Sequence, residues 1–309
     1  MKNQLILLTG FLGAGKTTFL NNILHEYEGF RIGLVVNEFS QTGVDGALIR
    51  RDIPNTNMVE LNNGSIFCAC IKDTFVDSLV AMGEQGLDYV FVEASGLADP
   101  SSIASILDQI RTFRQIEYAY QGAVCLVDAL NFAKHVKVLV SLRRQVTYSR
   151  AVIINKTDLV DEAGLVQCED AIREIKPDMP IFRTTFGRIS LKELLAGTAS
   201  QAPAPTESTN TADTRPITVT LKTTETVPGG KLREFLGAIA PMTYRIKGFC
   251  KTEEGPLEVS LVGESFRIDP WPEEVEETQL VIISSVGVRI VSDALAAAKA
   301  CFQQPFELK

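Results

Sequence analysis

Gly10, Gly13, Gly15, Lys16 and Thr17 fall within the eight residues GFLGAGKT, at the spacing G-x-x-x-x-G-K-[ST]. Small residues let consecutive backbone N–H groups turn inward around a phosphate. A helix starting directly after the turn adds partial positive charge there. The amides of Gly13, Ala14, Gly15, Lys16, Thr17 and Thr18 would supply that cradle. Lys16 would reach the β- and γ-phosphates, and the Thr17 hydroxyl would ligate Mg²⁺. An ordinary Gly-rich turn needs none of this context, whereas here the strand-like LILLT precedes the motif and the helical TTFLNNIL follows it.

A second group, Asn155, Lys156 and Asp158 in INKTD, closes the apolar run RAVII. A carboxylate accepts two hydrogen bonds from the N1–H and exocyclic amine of guanine, whereas adenine offers an acceptor at N1. A buried carboxylate left unpaired against adenine makes discrimination large. Asn155 would support the base edge and the Lys156 stem would cover its face. The segment FRTTFG, residues 182–187, closes the next strand and is expected beside the base and ribose. A third group is FVEASG, after DYVFV. Glu93 can hold Mg²⁺ or its water, and Gly96 can offer a backbone N–H to the γ-phosphate. The bland alternative is a strand-to-helix turn capped by Ser95. Together these groups predict GTP with Mg²⁺, and INKTD argues against a kinase built on the same loop.

The chain has six cysteines, too scattered for a disulfide framework. Only Cys68 and Cys70, in LNNGSIFCACIKD, are close in sequence. Thiolates suit Zn²⁺ and other soft or borderline ions, which take about four ligands, so these two supply half a site. Asp45, in GVDG, reads as a switch residue near Mg²⁺. Cys125, inside GAVCLVDA, reads as a small core residue, and Cys168, Cys250 and Cys301 read the same way. His25 sits on the helix after the phosphate loop, and His135 reads as a surface or helix-face residue. The opposed reading of Cys68 and Cys70 is that they are structural.

The elements that must position these groups are legible in the first two-thirds of the chain. QLILLTG, RIGLVVNE, DYVFVEAS, GAVCLVDA and RAVIINK are apolar without alternation, as strands covered on both faces should be. GKTTFLNNILHEY, DTFVDSLVAMGE and DEAGLVQCEDAIREI read as helices between them. This alternation predicts an α/β fold with a doubly wound, mostly parallel sheet, with functional residues at the carboxyl ends of its strands. Residues 1–197 would form that domain. GTASQAPAPTESTNTADTRP then loses large apolar residues, and 198–215 reads as a flexible linker. Residues 216–309 alternate strands between two helical stretches, predicting a smaller α+β domain.

Composition narrows the classes. The 309 residues are 45% hydrophobic and 22% charged, and net charge is −8, which disfavours nucleic acid as the partner. No apolar stretch approaches the roughly 20 residues that span a bilayer. The start MKNQLILLTG has too short an apolar run for an export signal and meets Lys16 soon after, so a cytoplasmic protein is expected.

With these residues in hand, the chain resembles the CobW family of P-loop GTPases, related to the urease and hydrogenase nickel accessory proteins UreG and HypB. LLTGFLGAGKTTFLNNIL resembles the family's start, VVNEFSQTGVDGALI its switch segment, VEASG its acidic motif and INKTDLV its guanine motif. The resemblance implies GTP-driven metal delivery or cofactor assembly, for cobalamin-type cobalt or for zinc. It also implies that Glu38 lies near the transferred metal. The family's Cys-x-Cys-Cys signature after Asn-Gly is altered here: Ser65 and Phe67 replace its first two cysteines, Cys68 aligns and Cys70 is additional.

The expected protein is therefore a GTP-hydrolysing metallochaperone or metal-cofactor assembly protein. Its GTP and Mg²⁺ would order the switch segment and the cysteine loop, and hydrolysis would release metal or client. Zn²⁺ or Co²⁺ is the expected cargo, a client metalloprotein the expected partner, and a homodimer could complete four ligands from two half-sites. The alternative is a GTP-dependent interaction switch or activator of a corrinoid enzyme without its own transferred metal. No arginine finger in cis is evident, so slow intrinsic turnover is expected.

Overall fold

In a computed structural model, the described residues are 3–27, 29–37, 57–61, 72–196, 216–262, 265–302 and 305–309. The chain divides into two compact units, residues 1–214 and 215–309. The segment read as a linker lies outside the described residues.

The first unit runs β1 (Asn3–Gly10), α1 (Lys16–Glu26), β2 (Ile32–Asn37), β3 (Asn57–Leu61), α2 (Lys72–Glu84), β4 (Tyr89–Glu93) and α3 (Ile103–Arg114). It continues β5 (Tyr118–Asp128), α4 (Phe132–His135), α5 (Val140–Thr147), β6 (Ser149–Asn155), α6 (Glu162–Arg173), β7 (Ile181–Arg183) and α7 (Leu191–Ala196). Among the described residues the sheet has seven strands, all parallel, in the order β3-β2-β4-β1-β5-β6-β7. The chain moves outward from β1 to β2 and β3, returns to insert β4 beside β1, and then builds β5 to β7 on the other side. The reversal therefore flanks β1, where an open parallel sheet leaves a crevice at its carboxyl edge.

The unbroken apolar runs have a direct cause. Leu5 and Leu7 pack with Phe75, Leu79 and Met82 of α2 and Ile103, Ile106 and Ile110 of α3. The alternate residues Ile6 and Leu8 pack with Phe19, Leu20 and Ile23 of α1 and Leu191 and Leu194 of α7. Helices cover both faces, so each position must be apolar, and each fully buried large side chain contributes roughly 1.5–3 kcal/mol. The edge strand β3, NMVEL, was not expected from the sequence, and it pairs with β2 from Gly33↔Asn57 to Asn37↔Leu61.

The second unit runs β8 (Thr218–Thr223), α8 (Gly229–Ile239), β9 (Thr243–Thr252), β10 (Gly255–Val262), β11 (Ser265–Pro270), β12 (Thr278–Ser284), α9 (Arg289–Cys301) and β13 (Glu307–Leu308). Its strands are all antiparallel in the order β11-β10-β9-β12-β8-β13. Leu232, Phe235 and Leu236 of α8 and Ile290, Ala294 and Ala298 of α9 pack on Leu221, Ile246, Val259, Leu280 and Ile282, giving the expected α+β core. No helix among the described residues is long and apolar enough to cross a membrane.

Candidate functional site

The carboxyl edge of the parallel sheet carries the chemistry. β1 ends at Gly10, where a Cβ would sit 2.1 Å from the Leu126 carbonyl oxygen of β5. With φ at +134° as well, only glycine fits. The loop turns through Gly13 (φ 71°) and Gly15 (φ 97°), and Gly15 opens α1 in left-handed conformation. No acidic residue of the helix itself occupies the first turn of α1. Lys16 is buried, and its Nζ donates to the carbonyls of Gly10 at 2.9 Å and Phe11 at 3.2 Å. A glycine-rich turn with a buried lysine at a helix start makes an anion cradle.

From the strand beside β1 in the sheet, β4 brings Glu93 to the same place. The Thr17 Oγ1 donates to Glu93 Oε1 at 3.1 Å. A hydroxyl and a buried carboxylate side by side are hard oxygen donors, the set that Mg²⁺ takes together with phosphate oxygens and water. The residues present fit the ion. Gly96 borders the loop directly, since a Cβ on it would lie 2.6 Å from the Leu12 backbone nitrogen. Ser95 does not cap the turn that follows. Asp99 does, accepting from the Ser101 N–H at 3.1 Å, while the buried Ser95 Oγ finds no hydrogen-bond partner among the described residues.

β6 delivers Asn155, Lys156 and Asp158. The Asn155 side chain is buried and bridges two loops: Nδ2 donates to the Ala14 carbonyl at 2.9 Å, and Oδ1 accepts from the Gly187 N–H at 3.0 Å. Lys156 stands at φ 61°, and its Nζ pairs with Asp128 Oδ2 at 2.7 Å. Asp158 is exposed in the short turn Thr157–Leu159. Thr157 Oγ1 bonds to the Thr184 carbonyl at 3.2 Å and to Thr185 Oγ1 at 2.9 Å. Asn22 Nδ2 donates to the carbonyls of Phe186 and Gly187 at 2.8 and 3.1 Å, so α1 also holds the 184–188 loop. Four strand ends, those of β1, β4, β6 and β7, thus converge on the phosphate loop.

Asp128 was not singled out by motif. It ends β5, accepts from the Leu130 N–H at 2.9 Å, and fixes Lys156. Its only sequence signal is an acidic residue at the end of the apolar run GAVCLVD. His135 packs its ring edge-on against Phe11 of the phosphate loop at 5.3 Å. Burial pulls its pKa below 6.5, Lys134 adds to that effect and Asp128 opposes it.

Glu38, Asp45, Cys68 and Cys70 lie outside the described residues. Cys125, Cys168, Cys250 and Cys301 are buried and free, as core residues should be. Burial pushes the Cys125 and Cys168 thiols up to about 12, which keeps them protonated and unsuited to metal. Among the described residues no group of three or more His, Cys, Asp or Glu side chains could hold a metal ion.

Comparison with known proteins agrees with these motifs. Residues 4–183 match the family "CobW/HypB/UreG, nucleotide-binding domain", and residues 217–299 match "Cobalamin synthesis protein cobW C-terminal domain". The zinc chaperone YjiA of Escherichia coli is 34% identical over 195 residues, covering 60% of this chain and 58% of that protein. The zinc-regulated GTPase metalloprotein activator 1 of Dictyostelium discoideum is 30% identical over 223 residues, covering 61% and 47%. The chain thus spans about half the length of these two relatives. The zinc chaperone CobW of Pseudomonas aeruginosa is 27% identical over 332 residues, covering 91% of this chain and 87% of that protein. With its nucleotide-binding motifs and its C-terminal domain both matched, this chain belongs to the CobW/HypB/UreG family.

Proposed function

We propose that this protein is a Mg²⁺-dependent GTPase that couples hydrolysis of GTP to GDP and phosphate to the delivery of a metal or to metal-cofactor assembly. The observation that carries the reading is the Thr17 to Glu93 hydrogen bond of 3.1 Å beside the buried Lys16. It joins a hydroxyl from the phosphate loop to a carboxylate from a separate strand, on the side where α1 presents its positive end.

In this reading the amides of Gly13 to Thr18 and the Lys16 ammonium bind the phosphates, and Gly96 meets the γ-phosphate. Lys156 and Asp158 read guanine, while Asn155 keeps the phosphate loop and the 184–188 loop in register. Mg²⁺ held by Thr17, Glu93 and, from the switch segment, Asp45 would neutralise charge on the β- and γ-phosphate oxygens. Glu38, Cys68 and Cys70 would hold the transferred metal. That the relatives are called zinc chaperones and a zinc-regulated metalloprotein activator supports zinc over cobalt as cargo. The division remains 1–197 for the GTPase, 198–215 for a linker and 216–309 for the C-terminal domain. A client metalloprotein is the partner, and a dimer could complete the metal site from two halves.

The test joins phosphate release from GTP and ATP to a competitive zinc and cobalt titration against a chromophoric chelator. The titration uses protein loaded with GDP or with a non-hydrolysable GTP analogue, beside a Cys68→Ser/Cys70→Ser variant. Slow hydrolysis of GTP alone, with cysteine-dependent binding that shifts with nucleotide, is the expected result. Hydrolysis with weak, nucleotide-independent binding would instead leave a GTP switch acting on a corrinoid or other client enzyme. The replacement of two signature cysteines by Ser65 and Phe67 favours that outcome as the second reading. No hydrolysis of GTP at all would remove both.

A further inference from the structure

Helix α5 carries two side chains that reach the turn following Glu93. Gln145 is 1% exposed, and its Nε2 donates to the Gly96 carbonyl at 3.1 Å and the Ala98 carbonyl at 3.0 Å. The preceding residue, Arg144, donates from Nε to Asp99 Oδ2 at 2.6 Å and from Nη2 to Ser101 Oγ at 3.0 Å. Asp99 has no exposed surface, and its other oxygen holds the Ser101 N–H. One turn of one helix therefore grips the turn at Gly96, Ala98, Asp99 and Ser101, and residues 94–101 are all buried.

The grip bears on the position most able to move. Gly96 has no Cβ and is the freest residue of the turn to rotate. Its carbonyl, held by a buried amide, fixes the peptide plane that follows it. Gly96 also abuts the phosphate loop at the Leu12 nitrogen, so any rotation there would be felt where phosphate binds. A buried glutamine whose two N–H groups satisfy two main-chain carbonyls is costly to lose in any fold. Here both carbonyls belong to the segment between the acidic motif and the next helix. Helix α5 then runs directly into β6, which ends in the guanine motif, and the Ser149 hydroxyl secures that junction by donating to the Gln145 carbonyl at 2.7 Å.

We propose that Gln145 is a positioning residue for GTP hydrolysis: it holds the Gly96 backbone against the phosphate loop in the orientation that meets the γ-phosphate, with Arg144 bracing the same turn through Asp99. The assignment rests on the GTPase reading above. Glu93 and Thr17 would hold Mg²⁺ with diphosphate and triphosphate alike, whereas Gly96 would meet only the third phosphate. The effect of loosening the turn is therefore selective.

Gln145→Met keeps the length and removes both donors. Affinities for GDP and for a non-hydrolysable GTP analogue, single-turnover hydrolysis and melting temperature are measured on the full chain. The expected result is GDP affinity within about twofold of wild type, with analogue affinity and the single-turnover rate each reduced about tenfold. That is less than the roughly 10²-fold that a 1 Å misplacement can cost. Equal loss for GDP and analogue, or no change in either, overturns the assignment and leaves Gln145 a packing residue. If Gln145→Met does not fold, Arg144→Met decides. Its side chain is part-exposed, and an unchanged ratio of analogue to GDP affinity there overturns the proposal equally. Wild-type protein that hydrolyses no GTP would refute the functional reading itself, whereas wild-type hydrolysis with unselective variants refutes only the role of Gln145.

Discussion

Replacing Asn155 by alanine separates two roles that the guanine motif alone leaves merged. The side chain is 2% exposed and spends both polar groups on main chain, at Ala14 and at Gly187. Alanine leaves a buried carbonyl and a buried N–H without partners. It also empties the space beside Gly15, whose absent Cβ would lie 2.3 Å from Asn155 Nδ2. Each orphaned group costs on the order of 1–3 kcal/mol, so about 3 kcal/mol in all is expected where the loops relax in part. For a unit of some 200 residues, 1 kcal/mol shifts the melting temperature by about 2–4 °C, giving a fall of about 6–12 °C. The phosphate loop loses its tie as well. GDP affinity should therefore fall about tenfold, or ~1.4 kcal/mol, while the preference for GDP over inosine diphosphate stays within about twofold. Calorimetric melting and titration with a fluorescent GDP derivative read both. A melting temperature unchanged within about 1 °C, together with a selective loss of guanine preference, would show that Asn155 acts on the base and that the loop tie is worth little.

Three further outcomes follow from the geometry. Asp128→Asn removes the charge that fixes Lys156, and GDP affinity should fall about 5–10-fold, the value of one charge-assisted contact, in the same fluorescence titration; an unchanged affinity would mean that Lys156 is positioned without it. Gly96→Ala drives a Cβ against the Leu12 nitrogen at 2.6 Å, so GTP hydrolysis should drop at least about tenfold with a lowered melting temperature, and wild-type turnover would refute the close approach. His135 has its folded pKa depressed by burial, with Lys134 adding and Asp128 opposing. Its unfolded form takes up protons first, so its contribution to stability is present above about pH 6.5 and is lost as pH falls below that value. Urea midpoints at pH 7.5 and 5.5 should differ less in His135→Gln than in wild type, and equal differences would refute this assignment.

What the sequence made legible follows from how each element is buried. β1, β4, β5 and β6 are covered on both faces, so their apolar runs stand out. β3 is a five-residue edge strand, NMVEL, whose Asn57 and Glu60 leave no unbroken apolar run to mark it. The phosphate loop and INKTD were readable because their spacing is dictated by ligand geometry. The partner of Lys156 was not, because Asp128 lies 28 positions earlier and reaches it only through the adjacency of β5 and β6. Gln145 leaves no signature at all. A side chain that serves main-chain carbonyls has no complementary residue type to betray it, and nothing in VSLRRQVT marks its glutamine as buried beside Leu142 and Val146.

The central position of β1 bears on how the protein is made. Its Leu5 to Leu8 stretch has no exposed surface in the folded unit, with β4 and β5 as its two neighbours. Those partners lie some 80 and 110 residues later in the chain. At ribosomal speeds of about 5–20 residues per second, β1 waits on the order of 5–20 s before its second neighbour is complete. Until β4 has emerged neither edge of this apolar strand can be paired, one edge stays open until β5 follows, and its parallel sheet cannot start from a local hairpin. The antiparallel β9–β10 hairpin of the second unit closes across two residues and needs no such delay. Nascent chains of the first unit should therefore depend on holding chaperones far more than those of the second.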